Sequence, residues 1–133
     1  MAKTITQKVI FKGTAVAKLY SMYLDSKHHV ALTGGHKAKI AATAGDKFSA
    51  WDGHIIGRNL QLLKNKLIVQ AWHGSDWDKT DADSTFIMLF EQKGKDAVIH
   101  MTHANIPDAH VAGIKKAWTD CYWTPWKAYL ASK

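Results

Sequence analysis

The sequence predicts an α+β fold: a curved antiparallel sheet wrapped around a long C-terminal helix, with two short helices after the first strand. Three observations carry this expectation. From Asp108 to Leu130, apolar residues recur at Val111, Ile114, Trp118, Cys121, Tyr122, Pro125 and Tyr129, the three-and-four spacing of one helix face, and this stretch holds Trp118, Trp123 and Trp126. Between Gly35 and Asn105, short apolar runs alternate with turn dipeptides and no helical period intervenes. The opening residues pass from a strand-like period to a helical one.

Taken in order, Thr4 to Phe11 alternates, with Ile5, Val9 and Phe11 on one side and Thr4, Thr6 and Lys8 on the other, the pattern of a half-buried strand. After Lys12-Gly13, residues Thr14 to Leu24 place Val16, Leu19, Tyr20, Tyr23 and Leu24 at helical spacing. A second helix is expected from Ser26 to about Leu32, stopped by Thr33-Gly34-Gly35. Strands are then expected at His36–Ala42, Lys47–Trp51, His54–Leu62, Lys66–Trp72, Ser84–Lys93 and Asp96–Asn105. Their connections, Gly45-Asp46, Asp52-Gly53, Lys64-Asn65 and Gly94-Lys95, are too short for a parallel crossover, so neighbouring strands run antiparallel. The longer link Gly74–Asp83 is acidic and carries Trp77 in its middle. For the final helix, Pro107-Asp108 marks the start, and Pro125, which lacks the N–H that would bond the Cys121 carbonyl, predicts either a kink, the favoured reading, or a stop and restart with Thr124 as cap and Pro125 as first residue.

The totals narrow the class. At 133 residues, 47% hydrophobic and 22% charged, the chain is expected to form one globular domain over residues 1–133. No apolar run approaches the ~18 residues of a membrane span, and the N-terminus lacks the pattern of a secretion signal. With Cys121 as the only cysteine, no internal disulfide can form, and a reducing, cytoplasmic setting is expected. The net charge of +7 raises polyanions as partners. Nucleic acid is nevertheless not expected, because Arg58 is the lone arginine and the lysines are scattered.

Motifs extend this reading. Phe48–Leu60 (FSAWDGHIIGRNL), Ile68–Trp72 (IVQAW), Asp76-Trp77, Ile106-Pro107, Trp118 and Tyr122–Leu130 (YWTPWKAYL) resemble, in order, the domain at the C-terminal end of the heat-shock protein 90 ATPase activator, of the START-like (SRPBCC) superfamily. The resemblance implies a helix-grip fold, often with a cavity between sheet and final helix. It also implies a choice of roles, since the superfamily includes lipid and hormone carriers, cyclases and chaperone regulators of the stress response. Family members often have arginine after the motif tryptophan and proline after the Asp-Trp pair, where this chain has His73 and Asp78.

Candidate chemistry is sparse. His100 and His103 are an odd number apart on a strand, so they face opposite ways and cannot share an ion. No metal site, cofactor or catalytic residue is expected, and an enzyme is the lesser reading. Three readings compete. A small apolar or amphipathic ligand would sit between helix and sheet, walled by Trp51, Phe86, Met88, Trp118, Cys121 and Tyr122, with Arg58 or His100 as polar anchors. Alternatively, a chaperone would dock on Trp77 and its acidic loop or on the lysine-rich helix face. Finally, side chains would fill the cavity and leave a scaffold or homodimer; the strand Ser84–Lys93 is apolar on both sides, one to face the long helix and the other either the opening helices or an oligomer partner.

Overall fold

The computed structural model describes residues 2–132. Strand β1 (Ala2–Phe11) leads into helices α1 (Val16–Leu24) and α2 (Ser26–Leu32). Five strands follow: β2 (Lys47–Ala50), β3 (Ile55–Leu63), β4 (Leu67–Gly74), β5 (Ser84–Lys93) and β6 (Asp96–Pro107). All pair antiparallel in one six-stranded sheet of order β1-β6-β5-β4-β3-β2. The chain ends in a helical rod made of a 3₁₀ turn (Asp108–His110), α3 (Val111–Ala117), a π-helical turn (Trp118–Trp123) and α4 (Thr124–Ala131). This is the helix-grip arrangement expected from the sequence.

One side of the sheet holds the main core cluster. Ile5, Val9 and Phe11 of β1, Phe86, Met88 and Phe90 of β5, and Ala97, Ile99 and Met101 of β6 point toward the helices. Helix α1 lies on the same side, with Tyr20 5.8 Å from Phe90 and Tyr23 6.1 Å from Phe86. Asp25 caps α2 by accepting a bond from the His28 N–H, and Gly34 (φ 87) and Gly35 (φ 105) end it.

Two expectations are corrected. Residues 36–42 do not form a strand: a single bridge, Lys39 to Ser49, stands in for a ladder. The segment hangs on side chains instead. Ser26 Oγ both donates to Ile40 O and accepts from Ile40 N, and Asn59 Nδ2 donates to Ala41 O and Thr43 O. Asn59 is itself buried and accepts from Gln70, whose other amide atom accepts from Tyr23 Oη. A polar pair inside β3 and β4 thus holds the loop, and each side-chain amide nitrogen and oxygen of the pair has a hydrogen-bond partner.

The second correction concerns the rod. Pro125 does not kink an otherwise regular helix; the disruption lies one turn earlier, as a π turn in which Thr124 N–H bonds Thr119 O. A π turn takes in about one extra residue, so the inward positions shift. Trp118 and Tyr122 of the expected stripe are buried, but Cys121, Pro125 and Tyr129 are only half-buried, and Trp123 and Trp126 take the inward positions instead.

Strand β3 is set by close packing at Gly57, where a Cβ would run into the Ala71 carbonyl oxygen and stand 2.8 Å from the Phe48 ring. Gly57→Ala is therefore expected to lower stability by about 3 kcal/mol. Urea unfolding of the variant checks this, and an unchanged midpoint would contradict the β2–β3–β4 packing.

Candidate functional site

The concave side of the sheet meets the rod through a relay of hydrogen bonds around Trp118. Trp118 Nε1–H donates to His103 Nδ1 (3.1 Å), so His103 carries its proton on Nε2 and donates to Ser84 Oγ (2.7 Å), and the Ser84 hydroxyl donates to Trp72 O (2.8 Å). Rod, β6, β5 and β4 are joined by these three bonds. The relay also settles what the Ser84–His103 pair can do. His103 offers a proton to the hydroxyl where a general base must accept one, so the pair is not arranged for nucleophilic attack. Burial pushes the His103 pKa down to about 3.

A second buried histidine holds the other inward ring of the π turn. His29 Nδ1–H donates to Tyr23 O (2.7 Å), leaving Nε2 to accept from Tyr122 Oη (2.9 Å). Burial lowers the His29 pKa, opposed in part by the Tyr23 carbonyl, and raises that of Tyr122. Around these bonds the rings close-pack. Trp118 stacks on Phe86 (4.5 Å, 9°) and lies 4.7 Å from Tyr122 and 5.4 Å from Trp123.

What remains open is a cleft of about 70 Å³ lined by Trp51, Ile55, Trp72, Ile114, Ala117, Trp118, Cys121 and Tyr122. Trp72, Trp118 and Tyr122 form its floor, and the other five, all half-buried, form its mouth. His36 stacks against the outer side of Trp51 at 4.0 Å. Cys121 at the mouth has its thiol pKa raised by burial and then by Asp120, so it stays protonated and weakly reactive at neutral pH.

Of the residues singled out in the sequence, Trp51, Trp118, Cys121 and Tyr122 come together at this cleft, and Phe86 lies behind it under Trp118. Met88 is buried elsewhere, in register with Ile68 and Met101. Arg58 and His100 do not reach the interior. Arg58 is exposed and donates to Gly45 O, because Asn59 takes the inward position, and His100 pairs with Glu91 on the outer face at 2.8 Å. Trp77 is 7% exposed, stacked on His110 (5.7 Å, 25°) and 4.9 Å from His73, which leaves little of its ring for a partner. His73 pairs with Asp83, and Asp78 accepts from the amide and hydroxyl of Thr80 to fold the loop.

Sequence reasoning missed Ile55, Trp72, Ala117, His29 and His103 as parts of this region. Parity put His103 opposite His100 but could not say which faced inward. Among the described residues, no three His, Cys, Asp or Glu side chains converge as metal ligands, and no helix is long and apolar enough to cross a membrane.

Comparison with known proteins agrees with this geometry. A family model described as Activator of Hsp90 ATPase homolog 1-like protein matches residues 14–131. Among solved structures, an HSP90 activator from Plasmodium falciparum is similar at 25% identity, covering 98% of this chain and 96% of that one with a TM-score of 0.85. A protein from Mesorhizobium loti is similar at 15% identity, 98% of each chain and a TM-score of 0.83. The Aha1 dimer from Colwellia psychrerythraea is similar at 14% identity, 97% of this chain and 91% of that one, with a TM-score of 0.74. No curated protein matches the sequence.

The two histidines set a pH dependence. Each has a folded pKa below its unfolded one, so the unfolded chain binds the extra protons and stability falls as pH drops below about 6.5, continuing for His103 to about 3. The exposed carboxylates act lower, below about pH 4. Urea midpoints are therefore expected to decline between pH 6.5 and 4.5. His103→Phe should be less stable at pH 7 with a shallower slope, and an unchanged slope would contradict the neutral relay.

Proposed function

This chain belongs to the family described as Activator of Hsp90 ATPase homolog 1-like protein, and from that premise we propose that it is a chaperone-regulating protein-interaction module. The whole of residues 1–133 acts as one START-like domain in this reading. The observation that carries it is the filled interior. Between sheet and rod, Phe86, Trp118, Tyr122, Trp123 and Trp126 occupy the space, and the remaining cleft is about 70 Å³. That is roughly the volume of two waters, against the ~300 Å³ or more that encloses a small-molecule ligand.

A cleft of this size suits one apolar side chain of a protein partner. Its mouth lies on the flank of the rod, and Lys115 and Lys116 are exposed on neighbouring positions of α3. An apolar anchor entering between Trp51 and Ile114, with acidic neighbours reaching the lysines, combines a desolvated contact with a charged rim. The HSP90 activator among the similar structures supports a chaperone ATPase as the partner class. A second reading, a small apolar ligand, is supported by the wholly apolar walls of the cleft. It requires the cleft to widen about fourfold, from about 70 toward ~300 Å³.

Ala117→Trp would plug the mouth from a half-buried position without touching the relay. The expected result is that the purified chain alters ATP turnover of an Hsp90-class chaperone and that the variant loses the effect at least ~10-fold while keeping its thermal midpoint. Absence of any effect by the unmodified chain, together with a retained small molecule in native mass spectrometry, would favour the ligand reading and sink this one.

A further inference from the structure

Lysines that are scattered along the sequence are sorted from the carboxylates by the fold. Antiparallel register brings the end of β1, the end of β5 and the start of β6 to one end of the sheet, where Phe11 pairs with Ala97 and Lys93 with Asp96. Lys12, Lys93 and Lys95 stand there, and α1 begins and α4 finishes beside them with Lys18 and Lys127. The loop 75–83 between β4 and β5, with Asp76, Asp78, Asp81 and Asp83, lies at the opposite end. The molecule is therefore electrically lopsided, which a count of charges along the chain does not reveal.

At the basic end the surface is hollow. A concavity of about 430 Å³ opens between the turn that joins β1 to α1 and the last turn of α4, and Ile10, Phe11, Lys12, Lys18, Lys127 and Leu130 are among its walls. Three elements thus contribute one ammonium each. Lys127 Nζ lies 5.7 Å over the Phe11 ring, and among the described residues neither it nor Lys18 is paired with a carboxylate. Asp96 at the margin accepts from the Gly13 N–H (2.9 Å) and from Lys12 (3.4 Å), so it offsets a single lysine. Gln92 stiffens the wall: its Oε1 accepts from Val16 N–H, and its Nε2 donates to Thr14 O and Asp96 O. The first amide of α1 is thereby used up, and the lysine side chains supply the positive charge of the hollow. All three stand exposed, as the charged rim of a protein interface does, whereas a small-molecule site buries its few polar groups. Ile10, 41% exposed, and half-buried Leu130 add apolar surface between them. Nucleic acid fits less well: the lone arginine, Arg58, bonds Gly45 O elsewhere, and Phe11 is 2% exposed, too little for a base to stack on.

We propose that this hollow is a docking site for an acidic segment of a protein partner, an apolar side chain of which rests against Ile10 and Leu130 while flanking carboxylates meet Lys12, Lys18 and Lys127. Charge complementarity selects the partner class, and compact ammonium groups accept carboxylates from many directions. The hollow shares no lining residue with the cleft beside Cys121. Lys115 and Lys116, at the rim of that cleft, precede Lys127 by enough residues to lie about 17 Å back along the rod, beyond the ~8 Å over which charges act at physiological salt. This inference therefore goes beyond the chaperone reading, and either can fail alone.

Fluorescence anisotropy tests it, with the full chain titrated into a labelled peptide of glutamate pairs separated by single leucines. The expected result is saturable binding at about 50 mM salt that is mostly lost at about 500 mM. Lys18→Glu and Lys127→Glu should each weaken binding at least ~5-fold, with circular dichroism unchanged because both side chains are exposed. Lys115→Glu and Ala117→Trp, which alter the other cleft, should change it less than ~2-fold. Serine in place of the peptide's leucines should weaken it several-fold. Absence of binding, equal binding of a peptide with glutamine in place of glutamate, or a loss on Lys115→Glu as large as on Lys127→Glu overturns the proposal. Tighter binding of oligouridylate or of phosphatidylserine vesicles than of the peptide overturns it too, in favour of those partners.

Discussion

Burying the polar hydrogen of a tryptophan costs free energy unless an acceptor meets it, and Trp118 meets one in His103, whereas the buried Nε1 groups of Trp51, Trp72 and Trp126 have none. The Trp118–His103 bond organises the interior. The imidazole is thereby committed to a single tautomer, its second nitrogen to Ser84, and Ser84 to the carbonyl of Trp72. Three strands and the rod cannot move independently of one another. Because Phe86, Tyr122 and Trp123 pack around the Trp118 indole, the interior that a helix-grip fold can leave open is reduced here to the small cleft.

The π turn follows from the same demand. Two consecutive residues, Tyr122 and Trp123, are buried, which a regular α-helix presents about 100° apart and cannot easily bring to one side. A widened turn admits both, and Pro125 just beyond it has no N–H to lose from the disturbed ladder. His29 then ties Tyr122 to α2, so the wide turn is held from the helices on one side and from the sheet on the other.

With the centre filled, the recognisable opportunities move to the surface. The cleft beside Cys121 and the basic hollow at Lys12, Lys18 and Lys127 share no lining residue and lie at different positions along the rod. Occupation of one therefore leaves the other accessible. Neither depends on reactive chemistry: Cys121 is protonated at neutral pH and the Ser84–His103 pair points its proton the wrong way for catalysis.

Much of the architecture was legible before any coordinates. Turn dipeptides at Asp52-Gly53, Lys64-Asn65 and Gly94-Lys95 dictate antiparallel neighbours, the three-and-four spacing after Asp108 dictates a terminal helix, and the ordered motifs point to the family. These are local properties, written in neighbouring residues. Orientation was not legible. Ile56, Arg58 and Leu60 alternate on β3 as convincingly as Ile55, Gly57 and Asn59, and only the buried amide pair with Gln70 and the tight space at Gly57 decide which set faces inward. Likewise Cys121 and Pro125 fall on the expected dry stripe until one extra residue in the π turn carries Trp126 there instead. Periodicity along the chain therefore determined which elements form, whereas contacts between residues far apart in sequence decided which side of each is dry and how little space is left between them.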